Sequence, residues 1–94
     1  SGAANKYREA HRVTAAVLAR NPQNPEAVFA HAQSEYWIGA AALAFDRQVE
    51  ARKAFTGYLR EAIALAKLEP GTGRSLMELA YAHGNLCDSD MKAN

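Results

Sequence analysis

His31 and Glu35 stand four residues apart in HAQSE, a spacing that lays both side chains on one face of a helix and lets both reach a metal ion. Two ligands do not make a site, and no Cys or His cluster in the sequence completes them, so the pair reads as a surface hydrogen bond. His11, His31 and His83 raise a second chemistry, in which an exposed histidine on a helical bundle accepts phosphate. None has the nearby Lys and Gly arrangement that such a site calls for. Ser34, Ser75 and Cys87 have no base placed beside them, which leaves nucleophilic catalysis without support. GTGR, residues 71–74, lacks the spacing of a phosphate-cradling loop. Lys53, Arg60 and Lys67 recur every seven residues, and three charges on one helix are more often a solvated face than a phosphate site. No catalytic residue, metal or cofactor is therefore expected. Trp37 lies off the main apolar stripe of its segment, with Glu26, Ala30, Gln33, Ala40 and Ala44. Core packing is the ordinary use of so large an aromatic, and a binding role is the alternative.

The elements that must hold these groups follow from composition and periodicity. The chain has 94 residues, enough for one small domain, and 49% are hydrophobic, with Ala heavily used and few Gly or Pro. That balance favours packed helices. A formal net charge of +1 gives no global electrostatic case for nucleic acid or an acidic membrane. Cys87 is the only cysteine, which excludes an internal disulfide and suits a reducing, cytoplasmic setting. The longest apolar run, YWIGAAALAF at 36–45, falls short of the roughly 20 residues of a membrane span. The opening Ser-Gly, with no Met and no signal peptide, reads as the start of a piece of something longer.

Four helices are expected. Residues 3–20 carry a stripe of Tyr7, Ala10, Val13 or Thr14, Val17 and Leu18. NPQNP ends it, because the residue before a proline is pushed out of helical geometry. Asn24 then caps a second helix with Pro25 as its first residue, running to about Phe45 with Val28, Ala32, Tyr36, Gly39 and Leu43 inside. Asp46 is the expected cap of a third, from about Arg47 to Leu68, with Ala51, Phe55, Tyr58, Leu59, Ala62, Ile63 and Ala66 as its stripe. Pro70-Gly71-Thr72-Gly73 stops it. The fourth opens at Ser75, with Glu78 completing a capping box, and Leu76, Leu79, Ala80, His83 and Leu86 follow. Cys87 or Asp88 ends it, leaving a polar tail.

Short linkers between helices make antiparallel neighbours. The joints RNPQNPEA and LEPGTGRS each place a proline after an Ala-rich helix and then open a new one. With Gly39 at a small position of a first helix, Ala51 and Phe55 at small and bulky positions of a second, and Pro70 closing the unit, the chain resembles the tetratricopeptide repeat family. Ala10, Val17, Leu18 and Pro22 match the end of a preceding unit, and Leu76, Leu79 and Ala80 the start of a following one. Pro22 and Pro70 stand 48 residues apart, against the family period of 34, so the resemblance is to a long-helix variant with about two extra turns on each helix.

The resemblance implies an all-α fold of antiparallel hairpins, a fragment of a right-handed α-solenoid. It divides the single domain 1–94 into the end of one unit (3–20), a long unit (25–70), the start of another (75–87) and a tail (88–94). It also implies a concave surface lined by first helices. Carried onto this chain, that surface takes Phe29, Gln33, Trp37 and Ala40 from the second helix and Arg74, Met77, Tyr81 and Asn85 from the fourth. The function so implied is a non-enzymatic scaffold that binds a protein or peptide, as part of a larger bacterial signalling or regulatory protein. A histidine phosphotransfer-like bundle is the alternative. The expected partner is protein, neither nucleic acid nor membrane, with a homodimer through exposed terminal helices as a further expectation.

Overall fold

A computed structural model describes the backbone of residues 2–93 and the side chains of residues 5–86. Within these residues the chain forms four helices and no strand: α1 Gly2–Arg20, α2 Pro25–Ala44, α3 Gln48–Leu68 and α4 Gly73–Ala93. The expected all-α class and antiparallel hairpins are what is found. The Cys87 side chain lies outside the described residues. Residues 88–93, expected as a separate tail, continue α4.

Each joint has a local chemical cause. Asn24 caps α2 as expected, its Oδ1 accepting from Glu26 N at 2.8 Å and Ala27 N at 3.3 Å, with Pro25 at the first helical position. Asp46 does not cap α3. It terminates α2 instead, at φ +58°, with Asp46 N donating to Leu43 O (3.0 Å) and Arg47 N to Ala42 O (2.8 Å). Those two bonds form a Schellman motif, and Asp is among the few residues that tolerate the left-handed conformation it needs. The α3 cap position falls to Arg47, without a side-chain bond. The capping box expected at Ser75 is displaced as well. Thr72 Oγ1 accepts from Ser75 N at 3.3 Å, so Thr72 caps α4 and Ser75 sits a turn inside. Ser75 is fully buried, and its single hydroxyl proton is shared between Glu69 O and Thr72 O, each 3.1 Å away.

Contacts run in order along the chain, α1 on α2, α2 on α3 and α3 on α4. Tyr7 faces Trp37 and His11 faces His31, so α1 and α2 are antiparallel. Glu35 abuts Gly57 and Gly39 abuts Phe55, so α2 and α3 are antiparallel as well. Arg74 pairs with Glu26 and Gln33 with Glu78, so α4 runs parallel to α2. The smallest extent of the chain is 16 Å. That is about one interhelical distance of 8–10 Å plus a Cα radius of about 2.3 Å on each side, which describes two layers of helices.

The core lies between α2, α3 and α4. Ala32, Ala51, Phe55, Tyr58, Ala62 and Ala82 form it, with Tyr36, Leu43, Leu59, Leu79 and Leu86 packed around. A Cβ on Gly39 would sit 2.5 Å from Phe55 Cε1, so the missing side chain is what lets α3 approach α2. Three expected stripes hold only in part. On α1, Val13 and Val17 are about half exposed and Ala10 is exposed; Tyr7, His11, Thr14 and Leu18 face inward. On α3, Ile63 is 42% exposed, whereas Leu65 is fully buried. On α4, Leu76, Ala80 and His83 are exposed, and Ser75, Glu78 and Ala82 are inside. Four of the inward residues, His11, Thr14, Ser75 and Glu78, are polar, and each finds a partner there, which an apolarity count cannot register.

Candidate functional site

Two surfaces carry side chains that the core does not explain. The first is the face shared by α2 and α4, where the sequence placed its partner-binding residues. Trp37, Met77 and Tyr81 are each about half exposed. Trp37 stacks on Tyr7 with ring centroids 6.2 Å apart and meets Tyr36 edge-on at 5.1 Å. It is thus held rigidly at the surface, outside the core.

The polar members of that set are occupied within the chain. Arg74 donates through Nη2 to Glu26 Oε1 (2.6 Å) and to Glu69 Oε1 (2.5 Å), and its guanidinium lies 4.9 Å above the Phe29 ring. Its hydrogen bonds and charge hold the Glu26 and Glu69 carboxyls below their ordinary value, and the two carboxylates in turn raise the Arg74 guanidinium. Gln33 Nε2 donates to Glu78. Burial pushes the Tyr58 hydroxyl up, and its bond to the Glu78 carboxylate adds to the shift. Asn85 Nδ2 donates to Tyr81 O at 2.8 Å. Phe29 and Gln33 are half-buried. What remains for a visitor on this face is the aromatic and thioether surface of Trp37, Tyr81 and Met77.

The second surface is a groove of about 640 Å³ on the opposite side, between α1 and α3 and floored by α2. Here the structure corrects the reading of His31 and Glu35 as a surface pair. Both are buried, with His31 Nε2 2.9 Å from Glu35 Oε1. His11 arrives from α1, its ring tilted 35° against that of His31 with centroids 4.6 Å apart, and its Nε2 lies 3.8 Å from the same oxygen. Glu35 fits because residue 57 is glycine: a Cβ there would overlap Glu35 Oε2. Thr14 Oγ1 lies 2.9 Å from His31 Nδ1 and 2.9 Å from Ser34 Oγ. Lys53 and Arg60, expected as a solvated stripe, are exposed and line this groove beside His11; Lys67 is exposed but not among the lining residues.

Thr14, His31 and Glu35 connect in the order hydroxyl, imidazole, carboxylate, which is also the order of a hydrolytic triad. The hydroxyl is committed to the α1–α2 seam, however, and the surrounding backbone N–H groups are spent inside helices, where they cannot stabilise an oxyanion. His31 and Glu35 nevertheless form a compact donor set with His11, the three ligand atoms lying within 4.8 Å of one another. The i, i+4 spacing of His31 and Glu35 was visible in the sequence. His11 was not linked to them, because nothing in the sequence says which turn of α1 faces which turn of α2. Among the described residues no helix is long and apolar enough to cross a membrane. Comparison with family models, with curated proteins and with solved structures finds no match to this chain.

Proposed function

We propose that the chain is a protein-interaction scaffold of tetratricopeptide-like design, which binds an apolar peptide or helix on the α2–α4 face in a cytoplasmic signalling or regulatory protein. The observation that carries this reading is the exposure of Trp37, Met77 and Tyr81, each at about half, on two parallel helices bridged by Arg74–Glu26 and Gln33–Glu78. Exposed aromatic and Met side chains held on a rigid support are favoured anchors for partners. The Arg74 strap to Glu26 and Glu69 fixes the spacing of the two helices, so that little order has to be gained on binding.

A phosphotransfer bundle finds less support. His11 and His31 both line the basic groove, but the Nε2 of each faces the Glu35 carboxylate, which disfavours adding phosphate at those atoms. The two-layer arrangement, with α1 on α2 and α4 on α3, is also suited to an array.

Trp37 is the only tryptophan, so its fluorescence reports on the proposed site alone. Peptides selected on the immobilised chain from a displayed library should shift Trp37 emission to the blue. Trp37→Ala should weaken them by about 2 kcal/mol, roughly thirtyfold, and Arg60→Ala on the far side should not. Selected peptides that leave the emission unchanged and that Arg60→Ala abolishes would place binding on the other face.

A further inference from the structure

The His11–His31–Glu35 cluster has features that an internal hydrogen bond does not need. Thr14 Oγ1 has one proton and three contacts: His11 O at 3.1 Å, Ser34 Oγ at 2.9 Å and His31 Nδ1 at 2.9 Å. The Ser34 proton goes to His31 O at 2.7 Å. The hydroxyl proton of Thr14 is therefore claimed by His11 O or Ser34, and the bond to His31 is best made by Nδ1–H donating to Thr14. That tautomer turns the Nε2 lone pair onto Glu35 Oε1, 2.9 Å away. Two electron-rich atoms at that separation need a cation between them, either a proton or a metal ion. A ring N–H fixed on an outer acceptor, with the other nitrogen aimed inward, is the usual condition of a metal-bound histidine.

We propose that His11 Nε2, His31 Nε2 and a Glu35 carboxylate oxygen bind a divalent transition-metal ion, with Zn²⁺ as the best match. Two imidazoles and one carboxylate are a zinc-type donor set, whereas Ca²⁺ and Mg²⁺ take oxygen ligands. Tetrahedral bonds of about 2.0–2.2 Å place ligand atoms roughly 3.3 Å apart. The two His–Glu distances, 2.9 and 3.8 Å, straddle that value and all three ligand atoms lie within 4.8 Å of one another, so rotations of His11 and Glu35 would bring them onto one ion. Gly57 keeps the space behind the carboxylate clear. The fourth position is left to the groove, where Lys53 and Arg60 favour water or a small anion over another cation. Because His11 comes from α1 and the other two ligands from α2, the ion clips α1 onto the rest of the array. This site lies across the molecule from the proposed partner face and does not depend on it.

The test uses the 94-residue chain stripped of metal by chelator, in a Cys87→Ser background so that the thiol contributes no ligand. Calorimetric titration with ZnCl2 should give one ion per chain, and Co²⁺ should give the visible absorption of a low-coordinate site. His11→Ala and Glu35→Gln should each lower Zn²⁺ affinity at least tenfold, the least that ligand-orienting groups alone contribute. His83→Ala, at an exposed histidine outside the cluster, should leave it unchanged. At a hundredfold excess over Kd, Zn²⁺ should raise the wild-type Tm by roughly 10–20 °C and leave that of His11→Ala nearly in place. Circular dichroism checks that each variant is folded; should His11→Ala lose its helicity, the same readings on His11→Gln and Glu35→Gln decide. Absence of a saturable one-to-one site in the wild type, or wild-type affinity in the His11 and Glu35 variants, would overturn the proposal.

Discussion

Gly57→Ala should change sign with the residue at position 35. An alanine in mid-helix is worth about 1 kcal/mol over glycine, so at an open site the substitution would stabilise α3. At position 57 the new Cβ would overlap Glu35 Oε2 and lie 2.8 Å from its Cδ. Glu35 is buried and cannot swing to solvent without giving up its 2.9 Å bond to His31. A hydrogen bond to a charged group contributes about 1.5–3 kcal/mol. The net effect should be a loss of roughly 0.5–2 kcal/mol, from a total stability of about 5–15 kcal/mol. In a Glu35→Ala background the three nearest atoms to that Cβ are gone, and the same substitution should stabilise by about 1 kcal/mol. Urea unfolding of the four chains, followed by far-UV circular dichroism, measures the cycle. With m near 1–2 kcal/mol/M, the two effects of Gly57→Ala should differ by about 1 M or more in midpoint. An equal rise in midpoint in both backgrounds would show that the Glu35 carboxylate does not occupy the space beside residue 57.

Phe55 is fully buried against Gly39, so Phe55→Ala should cost about 3–5 kcal/mol in urea unfolding, and a loss under about 1 kcal/mol would contradict its core position. The Arg74 strap should be acid-labile. The Glu26 and Glu69 carboxyls are depressed in the fold, so their contribution is complete above the unfolded value and fades as pH falls through the folded one. The stability gap between wild type and Arg74→Met, measured by thermal melts, should thus close as pH is lowered from about 6 to about 3; a gap that persists would assign Arg74 to packing on Phe29. The chain should self-associate, since Leu76, Met77, Val13 and Val17 all stand about half exposed on terminal helices, and a strict monomer by light scattering at high concentration would refute this.

The sequence by itself determined the four helices, where the chain breaks between them and most of the central hairpin. The prolines and Asn24 act through bonds within a few residues, so the break at 21–25 and the cap of α2 needed no tertiary knowledge. Gly39, Ala51, Phe55 and Tyr58 were legible because small and bulky residues at helical spacing imply close packing, and that is how they pack. The expected bounds of the pair also agree with α2 and α3 at 20 and 21 residues. Only the tertiary structure decided the rotation of α1 and α4. Periodic apolarity locates a stripe but gives no credit to a buried polar group that finds a partner, so Ser75 and Glu78 were left outside. The same limit hid the histidine cluster. His31 and Glu35 share a helix and were read as a pair. His11 joins them only because α1 folds back antiparallel in one register, and that register is set by side chains 17 to 24 residues apart in the chain. Asp46 failed as a cap for a related reason: its backbone was already needed to end α2, and the geometry that ends one helix excludes the geometry that caps the next.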